Sequence, residues 1–393
     1  MDIETLNLFI VQCSNKTMVA AFTDCRNVSA REFDMPTLRR PTPLSKGVAG
    51  QLLPLDKLQP NPGALTGSLY LPEKLQRGTP LIVVLHGCTQ TAIDYASAAG
   101  WLELADRHGF GVLLPQQQRS NNANLCFNWF ERGDIERGQG EVASIKAMID
   151  WSVTTHAFDA ERIYISGLSA GAAMAGAMLA TYPEIFAGGG LIAGLPHGTA
   201  TSMTGAFQQM QNGPRSDGSI LAANVLRATD HDGKWPSISV WHGDADRTVN
   251  SLNGTATVAQ WRAVHDLSDA TATIEEGTGH RRIRWENGQT GRRVEHVELR
   301  GMGHGTPIKT GGPEAVGYAA PYVLDIGLAS STELLDFWGI AAAPAVAKPS
   351  TLPVPARRLE PVGAQQLRPT PRLQEHGVEK IINDALRAAG LMK

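Results

Sequence analysis

The sequence is poor in the features that mark several large functional classes. Its cysteines number four, Cys13, Cys25, Cys88 and Cys126, with no Cys-x-x-Cys pair and no histidines at zinc-ligand spacing. That argues against a zinc site, and counting alone leaves more than one disulfide pairing open. Neither sign of charge dominates: 35 lysines and arginines face 38 acidic residues, for a net charge of −3. There is thus no basic excess to hold nucleic acid and no acidic run to act as a solvating tail. No apolar stretch approaches the roughly 20 residues that span a bilayer. The N-terminus, Met1-Asp2-Ile3-Glu4, is acidic where an export signal is basic. The chain as written is therefore expected in the cytoplasm, with secretion as the alternative if the true N-terminus differs. No internal repeat recurs. What remains is 42% hydrophobic and 19% charged over 393 residues, enough for one large domain with extensions.

One stretch organises the rest. Ile163-Tyr164-Ile165 is a β-branched and aromatic run suited to a buried strand. Gly167-Leu168-Ser169-Ala170-Gly171 follows, and small helix-forming residues continue to Leu179. Strand, G-x-S-x-G turn and helix in that order form the nucleophile elbow of an α/β-hydrolase. The pattern alone would arise by chance roughly 0.3 times in a chain like this, so its context carries the reading. The turn leaves no room for a side chain at either glycine and lifts the Ser169 hydroxyl above the sheet.

Along the chain, residues 1–60 lack periodicity and read as an irregular extension. Residues 64–71 alternate loosely and resemble an edge strand closed by Pro72. Unbroken apolar runs at 80–87, 110–115, 189–193 and 238–242 predict buried strands. Helical periodicity covers 92–108, 140–156, 253–266 and 331–338, and residues 271–299 read as a hairpin. Alternating strands and helices predict an α/β fold, with a mostly parallel central sheet and helices on both faces. The catalytic domain is expected to span 61–340, with residues 196–236 as a lid or substrate-shaping insertion. Residues 341–393 read as an Ala/Pro-rich linker ending in a short amphipathic helix.

A serine hydroxyl needs a base, and the base needs an acid to orient it. In this fold the order is Ser, acid, His, which leaves His265, His280, His296, His304 and His376. His304 is favoured because Gly301-Met302-Gly303-His304-Gly305 is a glycine-dense loop just beyond a strand. His265 falls in a helix, His296 within a strand and His376 beyond the linker. For the acid, Asp244 and Asp246 both follow the 238–242 strand. The pattern H-G-x-x-D-x-x-V selects Asp246, with Val249 packing beneath the loop and Asp244 capping the turn. The oxyanion donors are expected to be the backbone N–H of Ala170 and that of Cys88 or Thr89. No metal or organic cofactor is implied.

Leu85-His86-Gly87-Cys88-Thr89-Gln90, Cys126-Phe127-Asn128-Trp129-Phe130 and the elbow resemble the poly(3-hydroxybutyrate) depolymerase and feruloyl-esterase family. Trp241-His242-Gly243-x-Ala245-Asp246-x-Thr248-Val249 and Gly301-Met302-Gly303-His304 continue the likeness in the expected order. The resemblance implies a serine esterase with Ser169, Asp246 and His304 as its triad. It places Gln90 and Trp129 among the substrate-binding residues. It also suggests a disulfide between Cys88 and Cys126, which in a reducing cytoplasm would instead be two free thiols. Two motif positions depart from it: Thr306 stands where a tryptophan is frequent, and so does Phe127. The implied substrate is a short-chain hydroxyalkanoate polyester or its oligomers. The alternatives are a feruloyl or acetyl esterase acting on plant polysaccharide and a catalytically silent scaffold used for binding.

Overall fold

The computed structural model describes residues 49–288 and 291–340. Residues 1–48, the Ala/Pro-rich linker and the expected C-terminal helix lie outside the described residues. The chain opens with β1 (Gln51–Pro54), β2 (Thr66–Leu71) and β3 (Leu81–Leu85). Then come α1 (Ala92–Ala98), α2 (Trp101–His108), β4 (Gly111–Gln116), α3 (Arg132–Ile135) and α4 (Gly140–His156). β5 (Ile163–Leu168) leads into α5 (Ala170–Thr181), followed by β6 (Gly188–Ile192). After β6 come α6 (Met203–Asn212), α7 (Gly218–Leu226), β7 (Ser237–Gly243) and α8 (Leu252–Val264). The chain continues through β8 (Thr273–Gly277), β9 (His280–Asn287) and β10 (Arg292–Leu299). A small pair, β11 (Thr306–Ile308) and β12 (Val323–Asp325), precedes α9 (Ser330–Phe337).

Among the described residues, ten strands form one sheet in the order β1-β2-β4-β3-β5-β6-β7-β10-β9-β8. The six from β4 to β10 pair in parallel, and antiparallel strands flank them at both ends. Every residue of β3, β5 and β6 is buried, as a parallel sheet covered on both faces requires. α5 is buried along its whole length. Its alanine- and glycine-rich sequence suits a helix packed against β5, β6, α4 and α7 at once. The glycines of β6 have a matching cause. A Cβ on Gly189 would meet Leu179 of α5 at 2.4 Å, and one on Gly190 would meet Leu334 of α9 at 2.5 Å.

Several expectations are corrected in detail. Residues 51–54, read as part of an irregular extension, pair with β2, so β2 is an interior strand rather than an edge. The helix expected over 92–108 is broken at Ala99-Gly100. Gly100 takes a φ of +81°, and the Val316 side chain lies where its Cβ would be, at 2.8 Å. The stretch 196–236 contains α6 and α7, and α7 packs on α8. Asn253 of α8 ties α6 down by donating to the Gln209 carbonyl at 2.9 Å.

Candidate active site

Ser169 joins β5 to α5 with φ +57° and ψ −119°, a conformation costly for any residue but glycine. Two close backbone approaches hold it there. A Cβ on Gly167 would lie 2.4 Å from the Gly171 carbonyl oxygen, and one on Gly171 would lie 2.4 Å from both the Leu85 and His86 carbonyls. The Ser169 N–H donates to the Ile192 carbonyl at the end of β6 (2.9 Å), and its own carbonyl receives the Ala173 N–H (2.9 Å). The elbow is thus clamped between β3 and β6.

Because β5, β6, β7 and β10 are parallel neighbours, their C-terminal ends share one edge of the sheet. Backbone bonds stitch the loops along that edge. Ala193 donates to Trp241 (2.8 Å), Asp244 to Leu299 (3.0 Å) and Ala245 to Met302 (3.1 Å). The loops after β7 and β10 carry Asp246 and His304, and His304 Nδ1–H donates to Asp246 Oδ2 at 2.7 Å. That bond leaves Nε2 as the unprotonated nitrogen, facing away from the acid. Asp246 Oδ1 accepts the Thr248 and Val249 amides at 2.8 and 2.9 Å. Burial opposes ionisation of this carboxyl. Hydrogen bonds from His242, His304 and the Val249 amide overcome it and hold the group well below the usual carboxylate range.

The structure brings Asp246 to His304 and sends Asp244 elsewhere: Asp244 Oδ1 accepts the Gly301 amide at 2.6 Å. Val249 is fully buried under the loop. His265 and His296 are both buried, His265 with its Nε2 bonded to the Pro236 carbonyl at 3.0 Å. His280 opens β9, and His376 lies outside the described residues.

The loop after β3 is equally fixed. His86 Nδ1–H donates to the Gly87 carbonyl at 2.8 Å, and Nε2 accepts the Gln117 amide at 3.2 Å. Burial lowers its pKa to about 4, so the ring is neutral. Of the two amides considered as oxyanion donors, that of Thr89 is taken by the Asn124 carbonyl at 2.7 Å. Cys88 is left, joined by a disulfide to Cys126. The Ala170 amide opens α5, where first-turn N–H groups have no helical acceptor.

Two expected substrate-binding residues have other duties here. Gln90 accepts the Gly87 amide (2.9 Å) and donates to the Pro321 carbonyl (3.1 Å), so its amide braces two loops. Trp129 is only 6% exposed and packs edge-on against Phe130 in the core.

Sequence reasoning missed the support beneath the disulfide. Glu141 Oε2 accepts the Asn128 amide at 2.9 Å, and Gln117 Nε2 donates both to Glu141 and to the Cys126 carbonyl. Burial first, then nearby Asp134, raises the Glu141 pKa to about 8. An acid in a helix's first turn ordinarily faces solvent, so no local signal marks it as buried. Among the described residues, no group of three His, Cys, Asp or Glu gathers to hold a metal ion. No described helix is long and apolar enough to cross a membrane.

Residues 65–284 match the family model described as esterase PHB depolymerase. The chain is 44% identical over 288 residues to poly(3-hydroxyalkanoate) depolymerase C of Paucimonas lemoignei, covering 71% of this chain and 68% of that one. It is 29% identical over 279 residues to acetylxylan esterase A of Emericella nidulans, covering 69% and 88%. Among solved structures, an acetyl xylan esterase from Aspergillus awamori superposes with a TM-score of 0.63 at 22% identity, over 74% of this chain and all of that one. That likeness establishes the α/β-hydrolase fold.

Proposed function

The chain belongs to the esterase PHB depolymerase family of carboxylic-ester hydrolases, and on that premise we propose that Ser169, His304 and Asp246 cleave poly(3-hydroxybutyrate)-type polyesters or their oligomers through an acyl-enzyme. His304 Nε2 takes the Ser169 hydroxyl proton as Oγ attacks the ester carbonyl carbon. Asp246 keeps the imidazole in the Nδ1–H tautomer and stabilises the imidazolium. The Ala170 and Cys88 amides receive the oxyanion. Collapse of the tetrahedral adduct breaks the C–O bond, and the leaving alkoxide takes its proton from His304. A water deprotonated by the same nitrogen then releases the acid and restores Ser169.

For the chemistry, the 2.7 Å bond from His304 to Asp246 is the supporting geometry. For the substrate, the supporting observation is the 44% identity to a poly(3-hydroxyalkanoate) depolymerase over 288 residues. A second reading, an acetyl ester of plant polysaccharide, draws on the acetylxylan esterase relative at 29% identity. The Cys88–Cys126 bridge favours an oxidising compartment over the cytoplasm.

The test is release of soluble hydroxybutyrate acids from amorphous poly(3-hydroxybutyrate), with Ser169→Ala as control. Release that vanishes in the variant is expected. Cleavage of a soluble butyrate ester without release from polymer would keep the nucleophile and refute the polyester substrate. Acetylated xylan would then be assayed.

A further inference from the structure

His242, the penultimate residue of β7, has no part in the reaction just described. It is 3% exposed. Its Nε2 lies 2.9 Å from the Val249 carbonyl and 3.3 Å from Asp246 Oδ2. Both neighbours are acceptors, so Nε2 carries the proton. Its Nδ1 is buried without a hydrogen-bond partner. Gly254 of α8 lies directly over that side of the ring: a Cβ there would stand 2.8 Å from Nδ1 and 3.0 Å from Cγ. Only a glycine fits there without pushing the ring aside.

Asp246 Oδ2 therefore has two imidazoles against it: it accepts His304 Nδ1–H at 2.7 Å and lies 3.3 Å from His242 Nε2, whose hydrogen bond goes to the Val249 carbonyl. Oδ1 is held by the loop amides. We propose that His242, seated by Gly254, is a positioning residue for the proton relay: it fixes the Asp246 carboxylate toward His304 and withdraws part of its charge. This rests on the triad reading above. Without the second donor the carboxylate can rotate about its remaining bonds. Its undiluted charge also holds the proton on His304 more tightly, so the base is free only at higher pH.

Other titratable and charged groups line a polar cavity of about 470 Å³ with His242: His296 and Glu298 of β10, Arg300 just after it, Arg281 of β9, Glu276 of β8 and Asp244 of its own loop. Burial, together with His242 and Arg281, pushes the His296 pKa down to about 4. His296 therefore stays neutral through the range in which a catalytic base titrates.

The experiment measures kcat, KM and the pH profile on a soluble butyrate ester for wild type, Ser169→Ala, His242→Ala, His242→Gln and Gly254→Ala. Loss of activity in Ser169→Ala establishes the nucleophile independently; if it stays active, the triad reading fails and this proposal falls with it, whereas loss there with wild-type kinetics in His242→Ala sinks this proposal alone. His242→Ala is expected to lower kcat about tenfold or more, with KM within about twofold. Its acidic limb should move up by about one pH unit. His242→Gln, which keeps an N–H near the Nε2 position, should recover most of kcat. Gly254→Ala is expected to reproduce the kcat loss and to melt somewhat lower than wild type, because its Cβ must push the buried ring aside. Wild-type kinetics in His242→Ala, or an equal loss in His242→Gln with an unmoved acidic limb, would overturn the proposal.

Discussion

The Cys88–Cys126 bridge joins the loop proposed to supply an oxyanion amide to the segment braced by Glu141, and it closes a loop of 38 residues. The chain-entropy relation for a loop of that length gives a stabilisation of about 4 kcal/mol at 25 °C. Against a total stability of about 5–15 kcal/mol for a folded domain, that is a large share. Cys126→Ser removes the bridge while leaving Cys88 and its amide in the chain. Urea unfolding without thiol reagents should show the midpoint falling by about 1 M or more, with a somewhat steeper slope because the unfolded chain is no longer cross-linked. Dithiothreitol applied to wild type should reproduce the shift. On the proposed oxyanion role of the Cys88 amide, activity should fall as well, mainly in kcat. A midpoint within about 0.3 M of wild type would refute the reasoning. It would mean that the Thr89–Asn124 bond and the Gln117–Glu141 support hold the loop unaided.

Glu141 carries a pH signature of definite sign. Its folded pKa of about 8 exceeds its ordinary 4.5, so its contribution is complete below that ordinary value and is lost as pH rises through the folded one. Stability relative to Glu141→Gln should drop by about 2 kcal/mol between about pH 6.5 and 8.5, above the range where the buried histidines titrate. Parallel denaturation curves for the two proteins across that range would contradict the burial argument. Gly171→Ala should cost about 100-fold in kcat even where the protein folds, since its Cβ meets two β3-end carbonyls at 2.4 Å and must displace the elbow. Fluorophosphonate labelling of Ser169 beside a thermal melt separates that displacement from unfolding, and full-rate labelling would refute it.

The parallel core was legible because each of its strands is a short apolar run bounded by turn residues, a pattern set by burial on both faces. β1 was not legible: its four residues lie at the sheet margin, where exposure leaves little pattern. β11 and β12, three residues each, are shorter than any periodicity. The break between α1 and α2 comes from a loop more than two hundred residues later, with Val316 pressed on Gly100. No local window contains it.

The same division runs through the site. A parallel sheet puts every strand's C-terminal end on one edge, so a serine, an aspartate and a histidine that each follow a strand are brought to a common edge whatever their separation in sequence. The order of motifs therefore carried the placement of Ser169, Asp246 and His304. Direction of burial is another matter. Gln90, Trp129, Glu141 and His242 sit at positions where local pattern permits either a solvent-facing or an inward side chain, and distant partners decide. For His242 the deciding partners are Gly254, which closes one side of the ring, and Val249 and Asp246, which face Nε2 on the other. The motif shows that a histidine precedes the acid by four residues. Only the tertiary packing shows that its ring is buried and lies 3.3 Å from the carboxylate oxygen that His304 bonds.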